Sequence, residues 1–424
     1  MLIRSARVCD PAGGIDSVMD ILIRDGRIAA MGPALPCPPG EEIIEAAGLL
    51  AAPGLIDTHS HFRDPGFPLK EDIFSGAAAA ARGGYTSVIM MANTKPPIDN
   101  PGTLRSVLKK GAETPVHIYS CANVTKGMSG EDLTDFRALS GAGAVGFTDD
   151  GRPITDAALL REALEEAAAL DLPVSLHEED PAHVRHAGVN AGGAAAAALG
   201  LIGADREAER VMVERDIRLA LETGADVVIQ HISAKESVEL VRRGRALSPR
   251  IHAEATPHHF SLTEDAVIKK GTAAKCNPPI RTEEDRLAII EGLRDGTIDM
   301  IATDHAPHTA GEKAMPFPEA PSGMIGLETA FSLGLRELVN KGYLSLMDLL
   351  RLMTVNPAEL YHLPAGRLAV EAAADLMLCD LHASWVVSEP FASRASNSPF
   401  LGETLPGVIR CTIAGGRIAF RRDG

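Results

Sequence analysis

Eight short apolar runs, each closing on a polar or ionisable group, constrain this 424-residue chain more than any other feature. They read GLIDTHSH, GYTSVIMMAN, PVHIYSCAN, GAVGFTDD, PVSLHEED, ADVVIQHIS, IHAEATPHH and IDMIATDHAPH. Most are separated by Ala-, Leu-, Glu- and Arg-rich segments at helical spacing, such as DAALLREALEEAAAL and REAERVMVERDIRLALETG. Strands alternating with helices make βα units and a parallel sheet, and eight such units favour a closed barrel. The expected fold class is α/β, with a (β/α)8 TIM-type barrel over residues 53–362.

The ends of the chain have another texture. LIRSARVCD, MDILIRDGRIAAMG and EEIIEAAGLLAAPG at the start read as short strands between Gly and Pro breakers. GRLAVEAAADLMLCD, SWVVS and GVIRCTIAGGRIAF repeat the pattern after Leu363. One small β-rich domain, assembled from residues 1–52 and 363–424, is expected.

The runs end in His59 and His61, Asn93, Asn123, Asp150, His177, His231, His258 with His259, and Asp304 with His305. Barrel active sites lie at the C-terminal ends of the strands, so these groups should meet at one mouth. His59 and His61 stand two apart, which puts both imidazoles on one face of a strand. Alone, such a pair is equally a hydrogen-bonded couple near a turn. In the company of Asp150, His177, His231 and Asp304 it means more. Burying so many polar groups without partners costs a few kcal/mol each, and a divalent cation removes that cost by taking neutral imidazoles and carboxylates as ligands. Such donors suit Zn²⁺ best, with Mn, Co or Fe also admitted by geometry. Six ligands exceed one tetrahedral ion, so two zinc ions sharing a bridging ligand are expected.

Charge narrows the substrate and partner classes. With 41 basic and 57 acidic residues the net charge is −16, which excludes broad nucleic-acid binding. An anionic substrate must then be met by a few local cations. Arg63, two residues beyond His61, has the planar fork that suits a carboxylate; its bland alternative is a surface ion pair with Asp64. The first residues do not read as a secretory signal. The charge-free stretch Ala187–Ala204 is too rich in Ala and Gly for membrane insertion and reads as a loop leading into a helix. Six scattered cysteines without a CxxC pair are expected to be thiols. A cytoplasmic protein with no membrane partner is expected.

The strand-end series DTHSH, HEED, QHIS and ATDHAPH resembles the amidohydrolase superfamily. Together, DTHSHFRDPG, MANTKPP, GFTDDG, TPHHF, CNPPIR and ATDHAPH are similar to class I dihydroorotases across essentially the whole chain. The resemblance implies that the β-rich ends form a small β-sandwich. It also implies reversible cyclisation of N-carbamoyl-L-aspartate to L-dihydroorotate in de novo pyrimidine biosynthesis. It assigns His59 and His61 to one metal, His177 and His231 to a second, and Asp150 to a bridge. Asp304 becomes a metal ligand and the general base and acid. Arg63, Asn93 and His308 would hold the substrate carboxylate, and Asn277 the ring amides. A homodimer and an aspartate transcarbamoylase partner are also implied.

Two other readings compete. Hydantoinases and allantoinases, which catalyse similar ring chemistry, carry a carboxylated lysine on the fourth strand, where GFTDDG has none. An inactive scaffold for a transcarbamoylase should have lost ligands, and all six are present here. The Gly/Pro-rich segment 305–326 reads as a lid or specificity loop. The Gly/Ala-rich stretch 191–203 reads as packing or an interface.

Overall fold

The structure, a computed structural model, describes residues 1–37 and 39–422. Five strands open the chain: β1 (Leu2–Asp10), β2 (Ile15–Arg24), β3 (Arg27–Gly32), β4 (Ile43–Glu45) and β5 (Leu50–Pro53). Seven short strands follow: β6 (Leu55–Ser60), β7 (Tyr85–Met90), β8 (His117–Ser120), β9 (Val174–Leu176), β10 (Val227–Ile229), β11 (Ile251–Ala255) and β12 (Met300–Ile301). Three close the chain: β13 (Leu376–Val386), β14 (Thr404–Ala414) and β15 (Arg417–Arg421).

The middle strands form a barrel. β6, β7 and β8 pair in parallel, as do β9 to β12. The run GAVGFTDD joins these two groups without forming a regular ladder of its own. Only Phe147 makes bridges on both sides, to Ala122 and to Val174. Around it, Val145 and Thr148 donate to Ser120 and Ala122, and Phe147 donates to Pro173. The ring closes where Ser60 bridges His305 and the His61 N–H meets the His305 carbonyl. Eight segments therefore complete the circle, the fourth by a few bonds only.

Parallel strands covered on both faces should be apolar throughout, and β6, β7, β9 and β10 are buried along their whole length. Helices start where side-chain caps satisfy their free N–H groups. Asp72 with Ser75, and Thr282 with Asp285, form capping boxes ahead of helices Ile73–Arg82 and Glu283–Asp295. In the Ala-rich helix Ile73–Arg82, Gly76 allows the Phe62 ring against the backbone; a Cβ there would lie 2.4 Å from it. Phe62 is fully buried. Its anchoring fixes the chain between His61 and Arg63.

The terminal strands make one sheet in the order β15-β14-β13-β5-β1-β2-β3, with β4 added beside β1. This sheet curls until Gly416, in the β14–β15 turn, meets Gly26, in the β2–β3 turn. Ile3, Val8, Ile21, Ile28, Leu376 and Ile413 share its interior. On its other face Met377, Cys379 and Ile409 join the barrel core. Cys9, Cys121, Cys276, Cys379 and Cys411 are buried thiols. Residues 194–199 of the Gly/Ala-rich stretch are helical, and Ala195 and Ala196 pack against Val189, Val267 and Met324. That stretch serves packing. Among the described residues no helix is long and apolar enough to cross a membrane.

The opposite end of the barrel holds a charged knot. His252 on β11 lies 2.7 Å from Asp299 and 3.5 Å from Asp226. Burial lowers its pKa, but the two carboxylates outweigh that and raise it to about 9 from an ordinary 6.5. A raised histidine stabilises the fold fully below its unfolded pKa and loses that contribution as pH climbs through the folded value. Urea unfolding from pH 6.5 to 9.5 should therefore show His252→Asn losing most relative stability at the acid end. The gap should shrink by about 3 kcal/mol toward pH 9.5. A pH-independent gap would contradict the assignment.

Candidate active site

The strand ends place the polar groups as the barrel geometry requires. His59 ends β6 and His61 follows it; Asp150, His177, His231 and Asp304 each lie just past their own barrel segment. All six are buried. Asp150 is central. Its Oδ1 lies 3.5 Å from His59 Nε2, 3.6 Å from His177 Nδ1 and 3.8 Å from His231 Nε2, and its Oδ2 lies 3.4 Å from His61 Nε2. Asp304 Oδ1 lies 3.0 Å from His61 Nε2 and 3.6 Å from His59 Nε2.

Electrostatics follow from this crowding. Burial raises the Asp150 carboxyl, but the imidazoles of His59, His177 and His231 prevail and hold it well below the usual range. The same contest, decided by His61 and His59, lowers Asp304. His59 is pushed well above the ordinary imidazole range, burial opposing and Glu254 and Asp150 winning. His61 is lowered, chiefly by burial. Carboxylates and imidazoles thus share charge at the mouth, a balance that protons or a metal ion can supply.

Metal donors are present in two overlapping groups. His59, His61 and Asp304 bring donor atoms within 4.8 Å of one another, and so do His59, Asp150 and His231. His59 Nε2, which faces both Asp150 and Asp304, is buried with no hydrogen-bond partner, as expected of an atom aimed at an ion. His177 adjoins the second group, its Nδ1 lying 3.0 Å from His231 Nε2 and 3.6 Å from Asp150 Oδ1. The residues fit a divalent cation.

The backbone supports the same focus. Arg63 (φ 59°), His231 (φ 32°) and Asp304 (φ 46°) occupy the left-handed region that non-glycine residues avoid. Such strain persists where the surrounding structure imposes it, and it clusters at functional sites.

A cavity of about 200 Å³ opens beside these groups, and Arg63, Asn93, Asn277, His308, Ser322 and Gly323 complete its lining. The ion pair between Arg63 and Asp64 does not form. Asp64 is taken by Lys110 at 2.7 Å, and among the described residues the Arg63 side chain makes one hydrogen bond, from Nε to the Pro307 carbonyl at 3.4 Å. Its fork remains for a ligand. Asn93 accepts from His61 Nδ1 at 2.9 Å and donates to Asp150 Oδ2 at 3.1 Å, so it also orients two candidate ligands. Asn277 accepts from Ser322 Oγ at 2.8 Å. His308 donates from Nε2 to the Ser322 carbonyl at 2.8 Å and faces Lys70 through Nδ1. Burial, with Arg63, Lys70 and Lys313 nearby, lowers it to about 3, so it is a neutral donor at neutral pH. A larger groove of about 700 Å³, at the N-terminal end of β8, contains none of the six metal-donor candidates.

Other strand-end groups do structural work. Asp149 accepts from Asn123 Nδ2, Val124 N–H and Thr125, which ties two barrel loops together. His259 is held between Thr256 and the Pro278 carbonyl. The 305–326 segment is fastened in place. Lys275 Nζ donates to the carbonyls of Phe317 and Ala320, and Lys313 Nζ to those of Pro321 and Gly323. It forms a wall of the cavity. Gly323, at φ 129°, is required there because a Cβ would stand 2.7 Å from that of Ala306.

Comparison with known proteins now decides the kinship. A profile of the Amidohydrolase family matches residues 50–419. The chain belongs to the amidohydrolase family. Within it, the chain is 50% identical to a protein named dihydroorotase from Clostridioides difficile (strain 630), covering 99% of each. It is 49% identical, over the same shares, to another of that name from Lactococcus lactis subsp. lactis (strain IL1403). Its backbone is similar to that of an L-hydantoinase (dihydropyrimidinase) from Arthrobacter aurescens, with a TM-score of 0.89 and 25% identity over 100% of this chain and 96% of that one. A dihydropyrimidinase from Brevibacillus agri NCHU1002, 22% identical, matches at 0.84 over 99% and 95% and shares the fold. Family membership and the TIM-type barrel with a β-rich terminal domain agree with the sequence-based expectation.

Sequence reading missed Glu254. On β11, it places Oε1 2.5 Å from His59 Nδ1 and accepts from Thr58 Oγ1 at 3.1 Å. Its signal was a carboxylate inside the apolar run IHAEA, two residues after His252. A carboxylate behind a metal-binding imidazole fixes its tautomer and orientation. Glu254→Gln should weaken divalent-cation affinity about 10- to 100-fold, measured by competition with a chelating dye. Unchanged affinity would remove Glu254 from that role.

Proposed function

We propose that this chain is a dihydroorotase, which hydrolyses the cyclic amide of L-dihydroorotate and in reverse cyclises N-carbamoyl-L-aspartate in pyrimidine biosynthesis. The observation that carries the reading is the uncommitted Arg63 fork, facing a small cavity beside buried histidines and carboxylates. A substrate with one carboxylate on a small amide ring uses both halves of that arrangement. The two relatives named dihydroorotase support it. Thr148 stands where hydantoinases carry a carboxylated lysine, with the nearby Asp150 as the acid that would replace it, and this weighs against a hydantoinase. Retention of all six candidate ligands weighs against an inactive scaffold.

We assign the cofactor as zinc, two ions per subunit, held by His59, His61, Asp150, His177, His231 and Asp304. When bound, zinc supplies a Lewis acid that polarises a carbonyl and lowers the pKa of water toward about 7. Asp304 moves the proton: in hydrolysis it takes one from the attacking water and delivers it to the departing ring nitrogen. In cyclisation it takes the ureido proton. Its bond to His61 aims the carboxylate at the cavity. Arg63, Asn93 and His308 bind the substrate carboxylate, and Asn277 meets the ring amides. A cytoplasmic setting accords with five buried thiols. Homodimer formation and a transcarbamoylase partner are the remaining assignments by family likeness; light scattering of the chain alone and with the partner tests them.

The zinc-reconstituted protein should turn over dihydroorotate at least about 100-fold more efficiently than hydantoin or allantoin, because a site built for a carboxylate rejects ligands lacking it. Comparable hydantoin turnover would contradict the reading, as would full activity after chelation. Arg63→Met should raise KM by about 10-fold or more with metal content retained, as loss of a charge-assisted bond requires. Unchanged kinetics would take Arg63 out of the site.

A further inference from the structure

Between β13 and β14 the chain leaves the terminal sheet and crosses the barrel mouth. Ser393 Oγ and the Arg394 N–H donate to Glu71, and the Arg394 guanidinium donates to Asp72 and to the Pro68 carbonyl. Three residues on, Asn397 does something more specific. Its Oδ1 accepts the His308 N–H at 3.2 Å. Its Nδ2 donates to the carbonyls of Ala306 and Gly323, both at 3.1 Å. Its own carbonyl accepts the Ile325 N–H at 3.1 Å. All four bonds reach the two ends of the 305–326 segment. Asn397 is 8% exposed, so water cannot readily replace them.

We infer that Asn397 is a positioning residue for substrate binding, a clamp that holds the His308 and Gly323 sides of the cavity wall at a fixed separation. The inference deepens the dihydroorotase reading and rests on it for the identity of the substrate. Only a side-chain amide offers an acceptor to one N–H and two hydrogens to two carbonyls in this space. Alanine would leave the His308 N–H and the Ala306 carbonyl without these partners and the Gly323 carbonyl with Lys313 alone. Aspartate would keep the acceptor for His308 and turn an anion toward the two carbonyls. Asn397 makes no hydrogen bond to any of the six candidate metal ligands, so its loss should disturb substrate placement and spare the proton-transfer and metal-binding groups.

The test uses the full-length zinc-reconstituted chain with Asn397→Ala and the near-isosteric Asn397→Asp. Three quantities are read: KM against kcat with dihydroorotate, zinc content, and hydrogen exchange across 305–326. Asn397→Ala should raise KM about tenfold with kcat within about threefold, as loss of ground-state and transition-state binding together predicts. Exchange in 305–326 should quicken while zinc content holds. Asn397→Asp should move KM and exchange in the same direction, and it decides the matter if the alanine variant does not fold. Wild-type KM and exchange in Asn397→Asp would overturn the inference, and so would a fall in kcat or zinc content at constant KM. If the wild-type chain fails to turn over dihydroorotate, the substrate reading falls. Exchange in the variants then still decides whether Asn397 clamps the wall.

Discussion

A carboxylate cannot be buried among four imidazoles unless charge is shared among them, and Asp150 is in that position, its oxygens between 3.4 and 3.8 Å from His59, His61, His177 and His231. Protons or a metal ion can supply the balance, but in either state the histidines must point inward. That demand dictates much of the mouth. Glu254 holds His59 from behind, Asn93 holds His61 and Asp150 together, and Asp304 completes the ring at the barrel's closing seam. Unpaired burial of these groups would cost several kcal/mol in total, a large part of a domain's net stability.

Around this centre the protein builds a recognition wall from distant sequence. Arg63 comes from the first barrel loop, Asn277 from the loop after β11, and His308 and Gly323 from the loop after β12. The buried Lys275 and the half-buried Lys313 capture carbonyls of that last loop, and the excursion from the terminal sheet grips both its ends. Rigid placement of binding groups reduces the ordering cost of each encounter with a ligand. The terminal sheet thereby contributes to the mouth as well as to the core.

Much of this was legible in the sequence, for identifiable reasons. The eight apolar runs with polar C-terminal ends revealed the barrel and its mouth because strand direction and site location are coupled in that fold. The His59–His61 spacing revealed two inward imidazoles because strand side chains alternate. What escaped notice depended on contacts distant in the chain. Glu254 acts across the barrel, 195 residues from His59, and Asn397 acts 89 residues from His308. The 305–326 segment has the composition of a lid, yet lysine bonds to its carbonyls fix it, and composition does not encode such partners. GAVGFTDD has the texture of a strand but pairs through a few bonds only.

The central claim is convergence of six side chains on bound cations at one rim, and anomalous diffraction from crystals grown with zinc tests it most directly. The account predicts two peaks, one among His59, His61 and Asp304 and one beside Asp150 and His231, with His177 turned toward the second. Anomalous density confined to other groups, such as His258, His259 and Cys276, or absent from the mouth at saturating zinc, would contradict it.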